Sequence, residues 1–213
     1  VVYLYCLNSI CWGTQQQQVA PVQTGHKTAE AVWNTFVEQW IRVYGIPDIV
    51  VCDPGLEFQG YFAEMCQAYG ITVLPTDARA PWQNGRTERA GGIWKQHFKI
   101  AQRKCPPATQ SEHEMLGKMC CAARNRYQNR SGFSPDQRVF GFNHRLPNSL
   151  LSDDMIDAGL LADNPHTDFQ RAEEMRRAAG RAWQSADNRD RLLKVMRARH
   201  RTPQTFHEGQ LVY

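Results

Sequence analysis

The sequence has 213 residues, 42% hydrophobic and 22% charged, the make-up of a folded globular chain long enough for one good domain and an appendage. No run of eighteen apolar residues occurs, which excludes a membrane-spanning helix, and the apolar start is too short and lacks the basic flank of a signal peptide. The net charge of +4 is uneven: the chain is acidic up to Gly85 and basic from Arg86 onward, which implies either a polyanionic partner for the back half or a plain solvated helical surface.

In chain order, residues 1–7 read as a strand entered midway. Gly13 and Thr14 form a turn and residues 15–22 a second strand, making a hairpin. The glutamine run at 15–18 is too short to count as low complexity. Thr28 reads as the N-cap of an amphipathic helix over 28–44, with Ala31, Val32, Phe36, Trp40, Ile41 and Tyr44 at helical spacing and Gly45 and Pro47 ending it. Residues 49–52 form a short apolar strand of the kind found in the middle of a sheet covered on both faces. A turn, a helix over 61–69 and an apolar strand over 71–74 follow.

Residues 75–85 read as a loop, and Asn84 and Gly85 as a mobile turn within it. Helices are expected over 87–103 and 110–127, a loop over 131–151, and a long helix dense in Arg, Ala and Glu over 168–199. Residues 207–213 begin a strand. With no initiator methionine and an apolar last pair, the chain reads as a piece of something longer. The seven cysteines are odd in number and show no C-x-x-C spacing, so they read as reduced, buried thiols rather than a disulfide framework or zinc site. Strand, strand, helix, strand, helix, strand implies a mixed sheet covered by helices.

Two carboxylates stand out. Asp53 follows directly on the strand 49–52, where polar groups face the functional edge of an α/β sheet. Glu88 is expected in the first turn of the next long helix, at the positive end of its dipole. Phosphoryl transfer needs hard divalent ions held by clustered carboxylates. The plainer readings are a turn-forming Asp before Pro54-Gly55 and an ordinary helix-start Glu.

The stretch 50–95, VVCDPGLEFQGYFAEMCQAYGITVLPTDARAPWQNGRTERAGGIWK, resembles the integrase core of long-terminal-repeat retrotransposons and retroviruses. The resemblance rests on Asp53, Gly55, Phe58, Gly70, Ile71, Pro81, Asn84, Gly85, Glu88 and Arg89, with 34 residues between the two acids. Ala20–Ala29, with Pro21, Thr24, Gly25 and Thr28, is similar to the family's segment between its third strand and first helix, SGFSPDQRVFGFNHRLP over 131–147 to the segment that closes the core in gypsy-like and related elements, and residues 209–213 to the entry of a small C-terminal barrel.

The resemblance implies an α/β, ribonuclease-H-like mixed sheet flanked by helices, with its first strand missing and a C-terminal helical extension. The expected division is a catalytic core over 1–150, a basic helical linker over 151–206 and a truncated β-barrel over 207–213. It implies an Asp-Asp-Glu polynucleotidyl transferase that trims DNA 3′ ends and joins them to target DNA, with Asp53 and Glu88 holding two Mg²⁺ (or Mn²⁺). The family's first Asp would lie before Val1, so this stretch by itself is expected to be inactive. Asn84, Gly85, Arg86, Arg89, Lys95 and Lys99 are the expected DNA contacts. A homo-oligomer acting in the nucleus is the implied setting. Two other readings stand beside it: a decayed or domesticated copy that grips DNA without catalysis, and a ribonuclease H.

Overall fold

The computed structural model describes residues 5–22, 27–76, 81–128, 132–144 and 167–198, without the side chains of residues 81–84 and 167–169. Strands β1 (Cys6–Ile10) and β2 (Gln17–Pro21) pair antiparallel, with Asn8 opposite Val19 and Ile10 opposite Gln17. The hairpin is the expected one, although β1 runs on to Ile10; residues 1–4, Thr24 and Gly25 lie outside the described residues.

The glutamine run matters more than its length implied. Gln16 and Gln17 are buried, and Gln17 exchanges both main-chain hydrogen bonds with the Asn125 side chain. The Gln16 side-chain amide donates to Asp136 and to the Tyr44 hydroxyl, and Arg124 donates to the Gln15 carbonyl. Buried polar groups are tolerated when they are bonded in this way.

Helix α1 (Ala29–Phe36) starts where expected, its first turn capped by the Thr28 hydroxyl, which accepts from the Ala31 amide at 3.2 Å. It continues through a π-helical stretch, Val37–Ile41, into α2 (Arg42–Tyr44), which ends at Gly45 with φ 87°, a left-handed conformation that favours glycine. Trp33, Phe36 and Phe62 pack edge-on or tilted, with centroids 5.8 to 6.2 Å apart, and form the centre of one core with Cys66 and Ile71.

Strand β3 (Ile49–Cys52), helix α3 (Tyr61–Ala68) and strand β4 (Thr72–Pro75) form a parallel βαβ unit. The expectation of a strand covered on both faces is corrected here. Ile49 is 55% exposed, and among the described residues β3 pairs with β4 and β1 with β2, giving two two-stranded sheets rather than one.

The expected loop over 75–85 is shortened by helix α4 (Pro81–Lys104). Proline suits a first helical turn, where its missing N–H costs nothing. The penalty of about 1 kcal/mol for Gly85 inside the helix is small beside the packing of Ala90, Ile93, Trp94 and Ala101 along it. Asn84 and Gly85 are therefore helical rather than a turn, and Glu88 is the eighth helical residue, beyond the first turn where a dipole acts most.

Helix α5 (Gln110–Tyr127) is capped by Thr109. The expected loop over 131–151 contains a short helix, α6 (Pro135–Phe140), started by a Ser134–Gln137 capping box that the sequence carries in plain form; residues 145–151 lie outside the described part.

Helix α7 (Thr167–Arg197) packs onto α4 and α5. Met175, Ala178, Ala179, Ala182 and Trp183 recur at helical spacing and share a core with Ala101, Leu116 and Cys120. Several of its basic residues serve the fold: Arg171 pairs with Glu112 and Glu174 and donates to the Pro106 carbonyl, Arg176 pairs with Glu173, and Arg191 with Asp187. Of the seven cysteines, Cys52, Cys66, Cys105, Cys120 and Cys121 are buried. Residues 207–213 are not among those described.

Candidate active site

A groove of about 840 Å³ runs between β1 and β3 and is lined by every residue of both strands. Side chains alternate faces along a strand. Leu7 packs with the cluster around α1, while the Asn8 side chain reaches α4, so the two helices cover opposite faces of the groove. Asn8 donates to the Thr87 carbonyl at 3.0 Å and accepts from Gln17 at 2.6 Å. Gly91 permits this approach, since a Cβ there would sit 3.1 Å from the Asn8 side-chain nitrogen.

Asp53, the residue after β3, and Glu88, on α4, are both exposed and both line this groove, together with Lys95 two turns along α4. These three therefore share one groove. Arg86 lies at the same mouth. It donates to the Trp12 carbonyl at 3.2 Å, and its guanidinium carbon is 5.4 Å from the centre of the half-exposed Trp12 ring. Arg89 and Lys99 are exposed on α4 but do not line the groove. Gly85 is half-buried in α4 and is not in the lining, and the Asn84 side chain lies outside the described part.

Sequence reasoning missed four residues here. Asn8 anchors α4, Trp12 partners Arg86, and Lys27 and Glu57 form an ion pair inside the groove. Burial raises the Glu57 carboxyl, but the Lys27 hydrogen bond and charge outweigh it and hold the group below its usual range. Lys27 is raised, chiefly by its bond to Glu57 and further by the charges of Glu57 and Asp53. The signal for Glu57 was an acid four positions after Asp53; nothing local to Asn8 announces an anchor 79 residues away. Cys52, beside Asp53, is pushed up to about 11, mainly by burial and then by the Asp53 charge, which makes it a poor nucleophile.

The exposed carboxylates of Asp53 and Glu88 are hard oxygen donors of the kind Mg²⁺ accepts. Among the described residues, no group of three His, Cys, Asp or Glu side chains gathers at one point.

No family model matches the chain, and no curated protein matches it. Solved structures do. The catalytic core domain of HTLV-2 integrase, determined with magnesium in a dimeric form, matches with a TM-score of 0.51 and 16% identity, over 65% of this chain and 93% of that one. The simian T-cell lymphotropic virus intasome, in complex with the PP2A regulatory subunit B56 gamma, matches with a TM-score of 0.55 and 12% identity, over 70% and 57%. The catalytic core domain of BIV integrase matches with a TM-score of 0.50 and 17% identity, over 64% and 91%. At such identities the likeness is one of architecture, and this chain has the ribonuclease-H-like fold of the retroviral integrase catalytic core.

Proposed function

We propose that this chain is the core of a DNA-integrating enzyme of the retrotransposon type, which performs metal-dependent phosphoryl transfer on DNA ends. The observation that carries the reading is the meeting of Asp53 and Glu88 at one groove, from a strand end and a helix far apart in sequence, within an integrase-type fold. Asp53 and Glu88 would hold the divalent ion, and the magnesium in the HTLV-2 integrase core accords with that choice. When bound, Mg²⁺ supplies charge stabilisation to the attacking and leaving oxygens of a phosphodiester.

The chain's own residues do the rest. Lys95 adds a cation to the groove that the carboxylates line, where it would neutralise an incoming DNA phosphate. Arg86 adds a second cation at the groove mouth, with Arg89 and Lys99 further along the exposed surface of α4. Asn8 holds the turn of α4 that carries Glu88 against β1. A homo-oligomer acting on nuclear DNA completes the proposal, in keeping with the dimeric HTLV-2 core and the intasome among the similar structures.

Water-proton relaxation with Mn²⁺ tests the ion site. Asp53→Asn and Glu88→Gln are each expected to remove most of the binding while leaving duplex-DNA binding in place. Unchanged Mn²⁺ binding in both variants would overturn the assignment. A second reading is DNA gripping without catalysis, with Arg86, Arg89, Lys95 and Lys99 exposed along α4 as the phosphate-facing cations. Strand joining of oligonucleotide ends in Mg²⁺ by the chain extended upstream to include the expected first Asp, lost in Glu88→Gln, separates the two.

A further inference from the structure

Lys27 has two acids within range in the groove. Its ammonium is bonded to the Glu57 carboxylate, and the charge of Asp53 acts on it as well. A lysine ammonium is a compact cation on a flexible stem, so the two carboxylates compete for it. The competition matters because an ammonium and a hard divalent cation seek the same carboxylate oxygens. A lysine paired with Asp53 would occupy the group that is to hold the ion.

The turn after β3 settles the competition. Leu56–Phe58 form a short helical turn, in which the Phe58 amide donates to the Gly55 carbonyl at 3.0 Å and the Phe58 ring packs edge-on against Phe62, with centroids 5.3 Å apart. Glu57, inside this turn, folds its side chain back over Gly55, where a Cβ would stand 2.5 Å from Glu57 Oε2. Glycine makes the room. The other oxygen, Oε1, accepts from Lys27. Lys27 directly precedes the Thr28 cap, so its main chain is fixed by the start of α1. The Glu57 side chain is 14% exposed, against 53% for Lys27, while Asp53 is exposed. Water and salt screen an enclosed carboxylate less than an exposed one, so Glu57 holds the ammonium more firmly than Asp53 can. We propose that Glu57 is a positioning residue for the ion site: it holds the Lys27 ammonium off Asp53 and so keeps the Asp53 carboxylate free for a divalent cation. This inference rests on the reading of Asp53 as an ion ligand.

Zero-length cross-linking of the full chain with a water-soluble carbodiimide reads the partner of Lys27 directly. The reagent condenses an amine with a carboxylate in contact with it, and fragment masses tell Asp53 from Glu57. The unaltered chain is expected to give a Lys27–Glu57 link. Glu57→Gln is expected to move the link to Asp53 and to weaken Mn²⁺ binding roughly fivefold, the worth of about one exposed ion pair. Mn²⁺ is expected to suppress the new link, since both need the same oxygens. Adding Lys27→Met to Glu57→Gln removes the competitor, and Mn²⁺ binding is expected to return to near its original strength.

A link to Asp53 in the unaltered chain, no link to Asp53 in Glu57→Gln, or Mn²⁺ binding that stays weak in the double variant would overturn the proposal; the last would make Glu57 an ion ligand or a mere support of the turn. Asp53→Asn tells the two readings apart. Unchanged Mn²⁺ binding in that variant defeats the ion site itself, whereas lost binding there, with an unmoved link in Glu57→Gln, defeats only the role of Glu57.

Discussion

The Asn8 side chain on β1 donates to the Thr87 carbonyl on α4, 79 residues further along the chain. This bond joins the strand that borders the groove to the helical turn that carries Glu88. It is short-range in space and very long-range in sequence.

Asn8→Ala is expected to destabilise the chain by about 1–3 kcal/mol, because it removes the bond to the Thr87 carbonyl and leaves the Gln17 side-chain amide without its Asn8 acceptor. Urea unfolding measures this. Mn²⁺ binding is expected to weaken with it, as the Glu88 turn loses its tie to β1; unchanged Mn²⁺ binding would show that Asn8 does not position Glu88.

His97 gives the fold a pH dependence of defined sign. The ring is buried edge-on against Trp183, at 4.5 Å between centroids. Burial first, and then the Arg124 charge, push its pKa down to about 4, against the opposing charges of Asp190 and Asp187. The unfolded chain then binds a proton between about pH 6.5 and 4 that the folded chain refuses. Stability is full above 6.5 and falls toward 4, with a limiting slope of about 1.4 kcal/mol per pH unit. The urea midpoint at pH 7 and pH 5 reads the effect, and His97→Leu is expected to flatten it.

Met175→Ala is expected to cost about 2–5 kcal/mol, since the side chain is 1% exposed in a core shared by α4, α5 and α7. Unfolding is expected to remain a single transition. A separate early transition for α7 would show it to be an appendage instead.

The thiols separate by reactivity. Burial raises Cys11, but its bonds from Thr14 and neighbouring amides outweigh that and lower it, and it is only partly buried. Cys120 and Cys121 are pushed up to about 12 by burial. With a disulfide reagent at neutral pH, Cys11 is expected to react first and Cys120 and Cys121 only on unfolding. Cys11→Ser is expected to remove the fast phase.

Local chemistry was readable in advance wherever one segment settles its own structure. The Thr28 cap, the Gly45 stop, strand 49–52 and the Phe36 core position all follow from side chains acting within a few residues. Where a competing local signal existed, reading failed. Asn84-Gly85 looks like a turn, yet Pro81 starts a helix through it, because the packing of α4 outweighs one glycine's propensity cost. The glutamine run looks like filler, yet it is the buried polar tie between β2, α5 and α6.

The sequence by itself determined the order of elements, the resemblance carried by Asp53, Asn84, Gly85 and Glu88, and the acidic-then-basic division of charge, since these depend on residue type and short spacing. Only the tertiary structure decided that Asp53, Glu88 and Lys95 share one groove, that Lys27 and Glu57 join them there, and that Arg171, Arg176 and Arg191 of the basic helix form ion pairs within the fold. It alone decided that the strands stand as two pairs with a groove between them. Hydrogen bonds and packing between distant segments depend on where the chain returns in space, and that return is fixed by the whole set of burial and pairing energies rather than by any local run of residues.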